Sequence, residues 1–244
     1  MKNKDVLRER YEQIREVVRS LCESETLGCI GRSSTDNTPN QIDELAFALS
    51  LSQHPEIERM LSDPELKDIT YSPFSCEIPS KLDSLAKRLQ ESAVLNGKRI
   101  LDLGCGYEPA FADCSRRLGA DRVYTVDIVP SEKLWVRSDK QKEVVEDHIQ
   151  LDLRDPNAYD ILRERTGANF DLVASSSIHE MSEFADFAGR GAPPAYLNDL
   201  ALALAKEDGI YFCAEYLQDP KIHLKDPSID YEKRVRKAVK SRRR

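Results

Sequence analysis

Apolar positions along the chain follow two rhythms, and the change between them falls near residue 97. Up to that point the repeat is helical. Val6, Ile14, Val17, Val18 and Leu21 form one stripe with charged residues between them, which predicts an amphipathic helix over 4–23. The Ser-, Thr-, Gly- and Asn-rich stretch 24–40 reads as a loop. Ile42, Leu45, Ala46 and Leu49 predict a second helix at 41–53, and Pro55, suited to a first helical position, opens a third at 55–62. Pro64, Pro73 and Pro79 break the chain into turns before Ser80, which can cap a helix at 81–95 carrying Leu82, Leu85, Leu89 and Ala93 on one face.

After Asn96-Gly97, short continuous apolar runs at 98–103, 122–129, 148–153, 170–177 and 209–216 alternate with helical segments at 109–118, 156–165 and 194–206. Strands buried on both faces read as such continuous runs, and their alternation with helices implies parallel crossovers. The prediction is an α/β fold in which a doubly wound, mostly parallel sheet occupies 93–222. A helical extension precedes it at 1–92, and a tail follows at 223–244.

Composition narrows the class. With 40% hydrophobic and 32% charged residues the chain can bury one substantial core, which argues against wholesale disorder. No apolar run approaches the roughly 18 residues of a membrane span. The opening MKNKDVLRERYEQ is too charged for a secretory signal, so a cytoplasmic protein is expected. The six cysteines are widely spaced, no pair forms C-x-x-C, and there are only four histidines; reduced thiols and no metal site are expected. Of 36 basic and 43 acidic residues, 231–244 hold 8 and 1, leaving 28 and 42 in the body. An acidic body disfavours general nucleic-acid binding, so contact with nucleic acid is expected only through the basic tail.

The most informative segment is Ile100-Leu-Asp-Leu-Gly-Cys-Gly-Tyr-Glu-Pro109. A buried strand ends at Asp102, and Gly104 and Gly106, on either side of Cys105, turn the chain into a helix opened by Pro109. The glycines let a ligand approach the main chain closely. A dinucleotide site would need a third glycine where Pro109 stands, and it would place a pyrophosphate close to Asp102. A carboxylate there repels phosphate but suits a ligand presenting an ammonium group. Further on, the strand 122–129 carries Asp127 followed by Ile128, and the strand 148–153 ends in Asp152-Leu153. An acid 21 residues after Gly106 at a strand tip can accept from both ribose hydroxyls.

These residues resemble motif I and the following strand tips of the class I (Rossmann-like) S-adenosylmethionine-dependent methyltransferases, over about residues 97–217. The resemblance implies S-adenosylmethionine as cofactor. It places Asp102 at the methionine end, with Gly104, Cys105 and Gly106 forming the loop. Asp127 and Ile128 fall at the ribose, Asp152 and Leu153 at the adenine, and Ser175 beside the donor. Where such enzymes hold planar amines with an Asn/Asp-Pro-Pro-aromatic tetrad, this chain has Ser175-Ser176-Ser177-Ile178, which disfavours adenine-N6 or glutamine acceptors. His179 and Glu180 are the candidate bases.

A complete sheet of this class has seven strands, the last two an antiparallel hairpin. Only 28 residues follow Tyr216, with at most a weak strand at Lys221–Leu224, so the last strands are expected to be missing. An open edge of this kind invites pairing with another copy, and a homo-oligomer is one expectation. The implied activity is methyl transfer to a small molecule or a protein side-chain heteroatom. The alternative is a shortened, non-catalytic binding protein of the same fold.

Overall fold

In the computed structural model, residues 4–22, 27, 38–67, 77–134, 147–176, 195–214 and 219–242 of the 244 are described. Their contacts divide the chain into two compact units. One comprises residues 2–98 and 110–122, the other residues 99–109 and 123–244. The division differs from the expected 1–92, 93–222 and 223–244 in two ways, and each has a local cause.

The first unit holds the N-terminal helices α1 (Lys4–Cys22), α2 (Thr38–Ser50), α3 (Pro55–Ser62), α4 (Pro64–Lys67) and α5 (Glu77–Glu91), joined by α6 (Ala110–Arg117). Helix α1 buries Leu7, Tyr11, Ile14, Val18 and Leu21, steps of four and three that keep one face inward. Val6, read as part of that stripe, is 57% exposed, because Leu7 occupies the inward position. Arg15 on α1 bonds the Asp43 carboxylate on α2 through both Nε (2.5 Å) and a terminal nitrogen (3.2 Å), the fork geometry of a strong ion pair. Pro55 opens α3 as expected, with the His54 ring accepting from the Glu56 amide. Helix α5 starts at Glu77, so Ser80 lies inside its first turn.

Helix α6 follows the glycine turn in sequence yet belongs with the N-terminal helices. Leu95 N–H donates to Leu118 O (2.9 Å), Asp121 N–H donates to Lys98 O (2.9 Å), and the Asp121 carboxylate accepts from Gly97 N–H (2.9 Å). At Gly119 (φ +88) a Cβ would stand 2.5 Å from the Ala93 Cβ, so the two turns can only approach this closely through a glycine.

The second unit is built on a six-stranded sheet of order β3-β2-β1-β4-β5-β6. Its strands are β1 (Arg99–Leu103), β2 (Arg122–Asp127), β3 (His148–Gln150), β4 (Phe170–Ser176), β5 (Ala205–Ala214) and β6 (Lys221–Leu224). The pairs β1–β4, β2–β3 and β4–β5 are parallel. The weak strand expected at Lys221–Leu224 is real: it pairs antiparallel with β5, Phe212 opposite Ile222, and ends the sheet. On one face Leu101, Leu103, Val126, Val173, Tyr211 and Cys213 pack with α7 (Ala158–Thr166), α8 (Ala195–Leu204) and α9 (Tyr231–Arg242). The opposite positions, among them Ile100, Asp102, Thr125, Leu172, Ala174 and Phe212, are buried as well.

The segment expected as a basic tail is a helix packed on this core. Tyr231, Val235, Ala238 and Val239 of α9 are buried. Arg236 is held by Asp160 and Glu232, and the Glu232 carboxylate accepts from Tyr159 OH (3.0 Å). Cys22, Cys105 and Cys213 are free thiols, but Cys114 is disulfide-bonded, which corrects the expectation of six reduced cysteines; sequence spacing does not report distance in the fold. Among the described residues no helix is long and apolar enough to cross a membrane, and no group of three His, Cys, Asp or Glu could hold a metal.

Candidate cofactor site at the strand tips

The strand order reverses between β1 and β4. In open α/β sheets the crevice outside the carboxyl ends of the strands at such a point is where ligands sit. The expected loop lies there. Gly104 and Gly106 adopt φ of +76 and +65, angles that a side chain strains. Among the described residues a Cβ at Gly106 would meet nothing within 4 Å. The turn is tied to β2 by Gly104 N–H donating to Val126 O (2.6 Å).

Asp127, at the end of β2, joins that loop directly. Its Oδ2 accepts from Gly106 N–H (2.9 Å) and its Oδ1 from Val129 N–H (2.9 Å). A carboxylate offers about four lone-pair positions, so two remain for a ligand. The following residue, Ile128, is 48% exposed, an apolar surface at the tip against which a flat ring can pack.

Asp102 is 3% exposed. Among the described residues no hydrogen-bond donor reaches its carboxyl. Burial, with the charge of Asp127 adding to it, pushes its pKa up to about 8. An acid kept neutral in this way lacks a cation, which is what an ammonium group would supply. Burial likewise pushes the Cys105 thiol well above its usual range, aided by Asp102 and Asp127. Cys105 therefore contributes packing and backbone, and no thiolate.

The adenine and donor assignments fare differently. Asp152 lies just past β3, but its carboxylate already accepts from the Arg154 backbone N–H and from the Arg154 guanidinium at 2.7–3.0 Å. That neighbour holds it below the usual carboxylate range and fills its lone pairs. Leu153 is buried. Asp152→Ala is therefore expected to change the affinity for S-adenosylhomocysteine less than about threefold, well under one charge-assisted bond; calorimetric titration checks this.

Ser175 is also redirected. In register it stands beside Leu103, while Asp102 stands beside Ala174. Alternation along the strand therefore puts the Ser175 hydroxyl on the face opposite Asp102, where it bonds the Tyr211 hydroxyl at 2.7 Å. Its side chain is spent inside the core. His179 and Glu180, the candidate bases, lie outside the described residues.

Sequence reading passed over one member of this neighbourhood. His148, at the start of β3, is buried. Its Nε2 lies 2.8 Å from Val129 O and its Nδ1 lies 2.9 Å from Thr125 Oγ1. Nothing in the sequence marks it, because its partners depend on strand register.

A doubly wound sheet with a glycine turn, an acid on β2 bonded to that turn and a buried acid on β1 that no donor among the described residues reaches is the arrangement of the class I methyltransferase fold. The model of the FtsJ-like methyltransferase family matches residues 79–213, more than half of the chain, and the chain belongs to that family. None of the curated proteins matches the sequence. Among solved structures, coclaurine N-methyltransferase bound to N-methylheliamine and SAH is similar at 17% identity, with a TM-score of 0.35. The match covers 87% of this chain and 63% of that enzyme, so the chain spans less than two thirds of its length.

The residues present fit the cofactor on the strength of one group, the buried Asp102 carboxyl, which no donor among the described residues reaches. Asp102 would meet the ammonium, the Gly104–Gly106 turn the methionine backbone, and Asp127 the ribose hydroxyls. Bound S-adenosylmethionine supplies an electrophilic methyl group on a sulfonium.

Proposed function

We propose that this protein transfers a methyl group from S-adenosylmethionine to a heteroatom of a small molecule or of an exposed protein side chain. The observation that carries the reading is the Asp102 carboxyl, buried, reached by no donor among the described residues, and close enough to Asp127 for that charge to act on it. Methyl transfer of this kind is an in-line displacement, to which the protein contributes chiefly binding and orientation. Asp102, Asp127 and the glycine turn would fix the donor. A base is required only where the acceptor must lose a proton.

Charge supports this acceptor class. Arg154, the cation nearest the β3 tip in sequence, is committed to Asp152. On α9, Arg234 and Arg236 face Asp199 and Asp160. With 36 basic against 43 acidic residues, the chain as a whole does not favour a phosphate backbone.

A second reading, a binding protein that holds the cofactor without using it, draws on the sheet ending at the four-residue β6. Incubation with methyl-labelled donor and cell extract, fractionated into small molecules, protein and nucleic acid, separates the two. Label is expected in small molecules or protein. Label in nucleic acid would overturn the acceptor class. Binding of S-adenosylhomocysteine without any labelled product would select the second reading.

A further inference from the structure

We infer that His148 is a positioning residue for the donor site, holding Asp127 in the orientation that receives the ribose. The inference rests on the reading of Asp127 as the ribose acceptor. His148 touches no expected ligand position, so its action must pass through other groups, and the hydrogen bonds trace them.

A backbone carbonyl only accepts, so the 2.8 Å contact with Val129 O requires the proton on Nε2. In the neutral ring Nδ1 is then the acceptor, and the Thr125 hydroxyl, fully buried and in register with His148, donates to it at 2.9 Å. The Cys105 Sγ, from the glycine turn, lies 3.9 Å from the same nitrogen. One ring therefore meets β2, the segment beyond β2, and the turn between the two glycines.

Val129 is the link. Its carbonyl is taken by His148 and its N–H is taken by Asp127 Oδ1 (2.9 Å). Asp127 Oδ2 in turn accepts from Gly106 N–H. With both backbone polar groups of Val129 bonded, the Asp127 carboxylate is bonded at one lone pair on each oxygen, and the two remaining are aimed by the scaffold. Without His148 the Val129 carbonyl loses its partner and that segment can turn. Asp127 must then be ordered at the moment of binding, which weakens affinity without touching the chemical step.

Three variants test this. Glutamine places its amide nitrogen about where Nε2 stands and can keep the bond to Val129; asparagine reaches only the Nδ1 side; alanine keeps neither. Calorimetry with S-adenosylhomocysteine is expected to give wild-type-like affinity for His148→Gln. His148→Asn and His148→Ala should each bind roughly tenfold more weakly, the scale of one buried polar group left unpaired. Added imidazole should recover part of the alanine variant's loss. In an activity assay KM for the donor should rise while kcat at saturating donor stays within about twofold.

The decisive arm is a double-mutant cycle: in an Asp127→Ala background, which leaves no acceptor to orient, His148→Ala should cost almost nothing further. Equal losses in both backgrounds, or loss in the glutamine variant equal to that in alanine, would overturn the positioning role and leave a packing role in its place. Should the alanine variant fail to fold, the glutamine and asparagine pair still decides, since both fill the site. If wild type itself binds no S-adenosylhomocysteine, the donor-site reading fails. If wild type binds and the variants match it, only the role of His148 fails.

Discussion

Replacing Asp127 by alanine should raise the dissociation constant for S-adenosylhomocysteine at least about 100-fold, the lower end for losing two charge-assisted bonds of roughly 1.5–3 kcal/mol each. Both carboxylate oxygens carry one backbone amide and keep one lone pair, the count needed for the two ribose hydroxyls. The same substitution removes the partner of Gly106 N–H and Val129 N–H, so the loop loosens together with the contact. Asp127→Asn separates these effects. Its carbonyl can still accept, whereas its amide nitrogen turns donor toward one of the two N–H groups, and a loss near tenfold is expected. The fold should tolerate both, since Asp127 is only half-buried at the end of a strand. Calorimetric titration beside a thermal melt gives the answer. Unchanged affinity in a folded alanine variant would remove Asp127 from the ribose.

What could be read from the chain in advance was whatever depends on local rhythm. The runs ending in Asp102 and Asp127 announced buried strands with acids at their tips. Gly104 and Gly106 announced a turn, and the structure brings them together through the Gly106–Asp127 bond. What could not be read depends on register and on competition between neighbours. Whether Ser175 faces Asp102 or the opposite layer is decided by β4 pairing Leu103 with Ser175, a fact absent from either strand alone. Asp152 carries the same residue type at the same kind of position as Asp127, yet Arg154 two places on takes its oxygens.

Charge obscured packing in one case. Residues 231–244 were read through their eight cations, while Tyr231, Val235, Ala238 and Val239 supply an apolar stripe that docks α9 on the sheet's helical layer. A similar competition governs α1, where Val6 and Leu7 both fit an apolar pattern and only the four-three spacing from Leu7 keeps one face buried. The strand that ends the sheet, β6, was visible as a weak run. Its pairing turns an apparently missing edge into a short antiparallel one.

The second large effect concerns protons. Asp102 has its pKa raised to about 8 in the folded protein from an ordinary 3.8, first by burial and then by the charge of Asp127. For an acid shifted upward, the folded state holds a proton that the unfolded chain has released, so stability is greatest below the unfolded pKa and declines as pH rises toward the folded one. From about pH 4 to about pH 8 the decline is at most about 1.4 kcal/mol per pH unit from this one group. Asp102→Asn cannot ionise and should flatten that slope, leaving the variant the more stable protein near pH 8. Melts of both across the range measure it.

Cofactor binding should run the other way. An ammonium seated against Asp102 favours the carboxylate, so binding near pH 7 expels the proton, and affinity for S-adenosylhomocysteine should strengthen up to about tenfold per unit between pH 6 and 8. Calorimetry in two buffers of different ionisation enthalpy would register close to one proton released. In Asp102→Asn the release should vanish, with affinity at pH 8 lower by roughly 10- to 100-fold, the worth of a charged hydrogen bond in a dry site. At pH 6 wild type must first give up its proton, so the two proteins should draw together. Parallel affinity curves for wild type and variant, with no proton released by either, would mean that the buried acid does not meet the ammonium.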